Sequence, residues 1–369
     1  MRLSVDATPL LIRSAGVKNY LYHWLRALRG AMAPGDELSL FPCIDTVGSL
    51  HHEASVSSRM RTMRSIAALH FSNKLGRIPR WIEAPSDVFH VTSQLRAHTQ
   101  AAAVTATVYD LTTEVCPDLH LEATIHAEAR YHRKVLAKAA GIIAISAHTK
   151  RDAIERLRLE PSRVWVIYPG IVQEFFDAKP AGDEWLAAHG LRKPFVLCLG
   201  TIEPRKNTER LLNSWDRLPA SLRDEFELVV AGSPGWKSEA VLHRLRNGGG
   251  SVRYLGYVPE GDLPALIASA TAVAYPSLYE GFGFPAVQAM ACGVPLLTSN
   301  VSCLPEVCGE AAVYADPRSE AEISARLADV LTSPSLRGAL AERGRQQAAR
   351  YTWDRCAAES LEFFRAVAG

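Results

Sequence analysis

Cysteine is sparse and unpatterned. The seven residues, Cys43, Cys116, Cys198, Cys292, Cys303, Cys308 and Cys356, are odd in number and widely spaced, and no CxxC pair occurs. This argues against a disulfide framework or a zinc site and for a reducing compartment. Cys198 in FVLCLG and Cys292 in AMACGV sit inside apolar runs, where cysteine packs as a small core residue. No apolar run approaches the roughly 18 residues that span a bilayer. The opening MRLSVDATPLL is broken by Asp6 and reads as a first strand rather than a signal peptide, so the expected location is cytoplasmic. Neither charge sign dominates: the formal net charge is +2, which gives no global reason to expect a nucleic-acid partner. Repeats, low-complexity tracts and a metal-binding DxD pattern are all missing. What remains is an ordinary soluble composition, 48% hydrophobic and 22% charged, over 369 residues, a length that suggests two domains.

Short apolar runs alternate with helical patterns along the whole chain. Strands are predicted at 2–7, 37–43, 87–92, 104–110, 141–146 and 163–168, with helical patterns between them, such as 17–29 and 123–139. This alternation implies an α/β fold with a parallel sheet covered by helices on both faces. The rhythm breaks at Tyr168-Pro169-Gly170 and a polar stretch follows. It restarts with strands at 195–200, 227–232, 252–257, 272–277 and 294–299, and ends in helices at 320–331, 334–350 and 353–368. The expected organisation is two doubly wound, Rossmann-like domains, 1–172 and 185–350, with a terminal helix at about 353–369 packing back on the first. Their ligand edges would be the carboxyl ends of the strands, facing a shared cleft.

Two loops in the second half have the chemistry to hold an anionic ligand. GTIEPRKN, at 200–207, follows the strand FVLCL. It places Arg205, a planar fork, and Lys206, a point charge, where a diphosphate could be met in the ground state and as it departs. The plainer alternative is a solvated basic loop with Asn207 capping the next helix. YPSLYEGFGFPAVQAMACGVP, at 275–295, ends a strand, turns through Gly281 and Gly283, and enters a helix at Pro285. Glycines allow close approach to the backbone, and exposed amides at a helix start attract anionic or hydroxylated ligands. Glu280 can accept hydrogen bonds from sugar hydroxyls. GFGFPA also matches a relaxed GxGxxA dinucleotide fingerprint, but residues 276–280 separate it from its strand and Pro285 sits in the turn, so a nicotinamide-dependent oxidoreductase is disfavoured.

In order along the chain, GTIEPRKN, AGSPGW (231–236), YLGYVPEGDLPAL (254–266), YPSLYEGFGFPAVQAMACGVPLLTSN and SCLPEVCGEAA (302–312) resemble the carboxyl-terminal domain of the retaining glycosyltransferase family 4, which has the GT-B fold. The likeness is dense from about Val196 to Asp316 and looser upstream. It implies that Glu280 contacts the donor hexose and that the backbone of Phe282, Gly283 and Phe284 lies along the sugar and diphosphate. Lys206 would be the diphosphate lysine, and the loop at Gly256, Tyr257 and Val258 would meet the nucleobase. Many members carry an arginine where this chain has Thr201, and Arg205 is expected to supply that charge. The family's second glutamate, eight residues after the first, is Gln288 here. A carboxylate offers a ribose diol two acceptors, whereas an amide offers one acceptor and one donor. A sugar-nucleotide-binding homologue with weakened catalysis is the rival that this change raises.

Upstream, Ser14-Ala15-Gly16-Val17 resembles the family's glycine-rich loop, with Gly16 near the donor diphosphate; a plain turn into a helix is the alternative. Val108-Tyr109-Asp110-Leu111 ends a strand, with Tyr109 where relatives often have histidine. Asp110 is the candidate to orient or deprotonate the acceptor hydroxyl, and a simple capping role is its alternative. His90 and Tyr109 are weaker acceptor-side candidates. Residues 54–82 hold six basic side chains and no acid, with Met60, Met63, Ala67 and Phe71 on one helical face. Such a helix can rest on an anionic membrane, through about 57–82, or pack its apolar face on the first sheet; packing is slightly favoured. The resemblance therefore implies a metal-independent, cofactor-free, retaining hexosyltransferase like the bacterial mannosyltransferases of surface-polysaccharide synthesis. Its donor would be GDP-mannose, or alternatively a UDP-hexose. Its acceptor would be a glycan or lipid-linked sugar, met in the cytoplasm or at the inner face of the membrane.

Overall fold

A computed structural model describes residues 1–369 except 13–15, 43, 45, 46, 52, 53, 94, 248 and 249. The chain forms two units. The first comprises Met1–Pro117, Glu122–Gly170 and Thr352–Gly369, and the second Asp118–Leu121 and Ile171–Tyr351.

The first unit is built on strands β1 (Arg2–Asp6), β2 (Glu37–Phe41), β3 (Val88–Val91), β4 (Ala103–Val108), β5 (Gly141–Ala144) and β6 (Val164–Val166). They pair in parallel in the order β2-β1-β3-β4-β5-β6. The inner strands are covered on both faces, so they read as continuous apolar runs rather than alternating ones. The helix Trp353–Ala368 belongs to this unit. Phe363 and Phe364 are fully buried, Trp24 Nε1 donates to Ser360 Oγ at 3.0 Å, and a Cβ on Gly141 would come within 2.7 Å of the Phe363 ring. Only a residue without a side chain lets the last helix lie that close to β5.

The second unit is built on β7 (Phe195–Leu199), β8 (Glu227–Ala231), β9 (Val252–Gly256), β10 (Ala272–Tyr275), β11 (Leu296–Ser299) and β12 (Ala312–Ala315), ordered β12-β11-β10-β7-β8-β9, again all parallel. Strand β12 is missing from the sequence reading. It has four residues at the sheet edge, with Val313 and Tyr314 only half-buried, too short and too mixed to show a strand pattern. Strand order reverses between β1 and β3 in the first unit and between β7 and β10 in the second. At such a switch the loops leaving neighbouring strands part to opposite faces and leave a crevice at the carboxyl edge.

One expectation is corrected. The helix Arg59–Leu75 does not pack its Met60–Met63–Phe71 face on the first sheet. It is held by Ser65, Leu69 and Ser72, with Ser65 Oγ donating to Pro42 O at 2.6 Å, while Met60 and Met63 are 72% and 64% exposed. Ser65 meets the loop after β2 and Leu69 joins the first unit's core, and these contacts set the rotation of the helix.

Candidate active site

The loops after β7 and β10, on either side of the second unit's switch point, bring four ionisable side chains and a phenol together. Pro204–Lys206 forms a single 3-10 turn, which Asn207 ends in the left-handed conformation (φ 62°). Asn207 is buried, and its Nδ2 donates to Pro276 O at 2.9 Å and to Pro317 O at 2.7 Å. Leu278 N donates to Arg205 O at 2.9 Å. Backbone and amide contacts thus tie the two loops together before any charge is considered.

Glu280 is the hub. Its Oε1 accepts from Lys206 Nζ at 2.7 Å and from the Tyr275 hydroxyl at 2.6 Å, and its Oε2 lies 2.7 Å from Arg205 Nη1. Its backbone N–H donates to Ser302 Oγ at 3.1 Å. Burial alone would raise this carboxyl, but Arg205, Lys206 and the two hydrogen bonds outweigh it and hold the group at about 2. Arg205 reaches a second carboxylate, Glu203, at 2.7 Å, and donates to Tyr279 O at 2.9 Å. Burial pushes Glu203 up despite that cation. Lys206 also donates to the Tyr275 hydroxyl at 2.6 Å and lies 5.1 Å from that ring's centre. Burial, and then Arg205, pull its ammonium below the ordinary lysine value. Two cations and two carboxylates balance one another in a region only about a tenth exposed, which is where charge interactions are strong.

The turn after Glu280 runs into the helix Phe284–Ala291. Gly283 caps it at φ 87°, Pro285 occupies its first turn, and a Cβ at Gly283 would meet Leu304 at 2.9 Å. Both conditions call for glycine, and the helix's first amides are left at the switch point. Phe282 is buried edge-on against Phe284 and Tyr351, so its ring anchors the turn. Gln288 is half-buried one turn along the helix. The neighbouring strand ends interlock. Gly200 N donates to Ala231 O at 3.0 Å and Gly232 N to Gly256 O at 2.7 Å, and a Cβ on Gly232 would overlap Gly200 O at 1.8 Å. Beyond Gly256 (φ 70°), Tyr257 is 41% exposed and Val258 is buried.

In the first unit, Asp110 follows β4. Its Oδ1 accepts from Thr112 N at 3.0 Å and Thr112 Oγ1 at 2.6 Å, so the turn-capping role is filled. Its Oδ2 has no hydrogen bond among the described residues, and the side chain is only half-buried. Glu128 is near enough for the charges to oppose each other: burial, and then Asp110, push Glu128 up to about 7. The Tyr109 ring meets Tyr20 edge-on at 5.4 Å, and its buried hydroxyl has no partner among the described residues. His90 is corrected to a structural residue. It is fully buried, with Nδ1 at 2.9 Å from Thr105 Oγ1 and Nε2 at 2.8 Å from Thr107 Oγ1, and burial pulls it down to about 3. Gly16 is the exposed first residue of the helix Gly16–Ala31, and the Ser14-Ala15 part of its loop lies outside the described residues.

Sequence reasoning missed Glu203, the Tyr275 hydroxyl, Ser302 and Glu128. Glu203 had a signal, being an acid two residues from Arg205 in a loop expected to bind anions. Tyr275 ends the strand AVAY, where its ring reads as core and its hydroxyl is easily overlooked.

The family profile described as glycosyl transferases group 1 matches residues 183–347. The O-antigen chain mannosyltransferase B of Escherichia coli is 32% identical over 286 residues, covering 75% of this chain and 74% of that protein. The serotype-specific mannosyltransferase WbdA of Escherichia coli is 30% identical over 234 residues, and the match covers 62% of this chain but only 29% of that longer protein. The solved structure of a sucrose-phosphate synthase from Thermosynechococcus elongatus matches with a TM-score of 0.74 at 19% identity, over 100% of this chain and 99% of its own.

Proposed function

As the chain belongs to the group 1 glycosyltransferases and has their GT-B fold, we propose that it moves mannose from GDP-mannose to a hydroxyl of a glycan or lipid-linked acceptor, with retention of configuration. The observation that carries this reading is Glu280 held between Arg205 and Lys206 at the second unit's switch point. An ionised carboxylate there accepts from hexose hydroxyls. The two cations beside it face the charge that grows as a diphosphate leaves, a role that needs no metal ion. The first helical amides, at Gly283 and Phe284, complete the anion's surroundings. Gln288, one turn on, is positioned for the ribose, and Tyr257 and Val258 for the base. Asp110, through Oδ2, orients or deprotonates the acceptor hydroxyl, unless the departing diphosphate takes that proton itself. The mannose reading rests on the two Escherichia coli relatives, whose names specify it. An acceptor carried by lipid would be met at a membrane, and residues 57–82 offer the contact.

Calorimetry with GDP-mannose, UDP-glucose, ADP-glucose and NAD tests the donor. Tightest binding of GDP-mannose is expected. A preference for UDP-glucose moves the donor to the alternative class, and absence of any sugar-nucleotide binding sinks the reading. Nuclear magnetic resonance of the product's anomeric proton tests retention, and turnover in chelator tests independence from metal.

A further inference from the structure

We infer that the outward face of the helix Arg59–Leu75, extended by Trp81, is a docking surface for an anionic lipid bilayer. This deepens the membrane contact proposed above and rests on it for its location, but not on the choice of donor or acceptor.

At about 100° per residue, Met60, Met63, Arg64, Ala67, Phe71, Lys74 and Leu75 share one 120° face. Ser65, Leu69 and Ser72, the buried residues, lie on the opposite one. Four large apolar side chains of the outward face stand in solvent, with Met60 72%, Met63 64%, Phe71 46% and Leu75 51% exposed. Trp81, just beyond the helix, is 79% exposed, its ring centre 6.5 Å from that of Phe71. Five large apolar side chains on one small area are more than a soluble surface scatters by chance. Arg59, Arg61, Arg64, Lys74, Arg77 and Arg80 are all exposed around them, and 54–82 contains no acid.

Charge decides among occupants. A second copy of this chain would bring six more cations against the same six, so self-association through this face is opposed. Nucleic acid would accept the cations but leave the methionine and leucine side chains without apolar partners. An anionic lipid surface satisfies both halves: headgroups meet the arginines and lysine, whose aliphatic stems reach upward, while methionine, phenylalanine and tryptophan enter the acyl boundary. No helix among the described residues is long and apolar enough to cross a membrane, so such contact would be peripheral.

The test is co-sedimentation of the full chain with vesicles of phosphatidylcholine alone, or of phosphatidylcholine with phosphatidylglycerol. Binding is expected only to the latter, and it should weaken as salt screens the headgroups. Arg59→Gln, Arg64→Gln and Lys74→Gln together should lower partitioning about 10²-fold, at roughly fivefold per charge. Met60→Ser, Met63→Ser and Phe71→Ser together should abolish the salt-resistant fraction. Thermal melts establish that both triple variants fold, and transfer to a water-soluble acceptor should be unchanged in them. A failure of transfer in the wild type therefore counts against the enzymatic reading and leaves the vesicle result standing. Equal binding by wild type and folded variants overturns the docking face, as does absence of binding to anionic vesicles. A dimer in sedimentation velocity that the apolar triple variant dissolves overturns it too, in favour of a second copy.

Discussion

The two sheets reverse their strand order in the same way and use the crevice differently. At β1/β3 the carboxylate is Asp6. It is fully buried and held by three backbone amides, Thr8 N at 3.1 Å on Oδ1 and Ser93 and Leu95 N at 3.5 and 3.4 Å on Oδ2, and by the Thr8 hydroxyl of the same turn on Oδ1. Thr92 Oγ1 adds a bond to Asp6 O at 2.7 Å. At β7/β10 the carboxylate is Glu280, and its donors are the flexible ends of Arg205, Lys206 and Tyr275. Backbone amides cannot turn to another ligand without undoing the loop that carries them. Side-chain cations can transfer from a carboxylate to an arriving diphosphate at the cost of a rotamer change. The first crevice spends its carboxylate on holding loops in place; the second, in the proposed reaction, keeps its charges exchangeable.

The largest effect expected from this difference is at Lys206. Lys206→Ala removes a cation from Glu280 and from the proposed leaving group, and kcat/KM should fall about 10²–10³-fold. Arg205→Ala should cost less, because Glu203 already takes up part of the charge of that guanidinium. Initial rates against donor concentration check both. If Arg205 proves the more damaging loss, the two diphosphate roles are exchanged. Next in size is Asp110→Asn, which keeps the cap on Thr112 through its amide oxygen and loses the second carboxylate oxygen. Transfer should fall on the order of 10²-fold while the donor dissociation constant is unchanged. Normal transfer would remove Asp110 from the mechanism.

How far the sequence announced these features depends on how local they are. The twin βαβ rhythm, the terminal helix and the Gly283–Pro285 helix entry are written in neighbouring residues, and all three stand in the structure as read. Features that depend on rotation or on distant partners were hidden. The 59–75 helix has its apolar stripe outward because Ser65 finds Pro42 O, a contact no helical period reveals. His90 looked available at a strand end, yet Thr105 and Thr107 on the adjacent β4 enclose it. Glu280 was legible as an acid at the turn into Phe284–Ala291. Its fourfold engagement by Arg205, Lys206, Tyr275 and Ser302 was not, because those partners come from the loop after β7, the end of β10 and the loop after β11.

Acid should separate the two units. His90 has an ordinary value of 6.5 and is held at about 3 in the fold, so between those values the unfolded chain binds a proton that the native one does not. His90 should therefore cost the first unit stability as pH falls from 6.5 toward 3, against a smaller opposite contribution between about 7 and 4.5 from Glu128, whose raised carboxyl takes up its proton earlier in the fold than in the unfolded chain. Glu280 has an ordinary value of 4.5 and sits at about 2, so its contribution is complete above 4.5 and is lost only as pH falls toward 2. Hydrogen exchange read by mass spectrometry should show β3 and β4 losing protection at a higher pH than β7 and β10. The reverse order would mean that other groups govern the acid response of one unit. His90→Asn should flatten the upper part of the first unit's pH dependence.

The smallest expected effect is at Gln288. Gln288→Glu gives the ribose diol a charged acceptor, and hydrogen bonds to charged groups are worth about 1 kcal/mol more than neutral ones. The same change puts a negative charge in the last turn of Phe284–Ala291, where the helix dipole opposes it by about 0.3–1 kcal/mol. The dipole term acts in the free and the bound protein alike and falls on stability, so donor affinity reads only the first term, about fivefold at most. Donor affinity, measured by calorimetry with GDP-mannose, should therefore stay the same or tighten by less than tenfold. If it instead weakens by more than tenfold, the amide N–H is itself donating to the ligand, and glutamine is a working part of this site rather than a diluted glutamate.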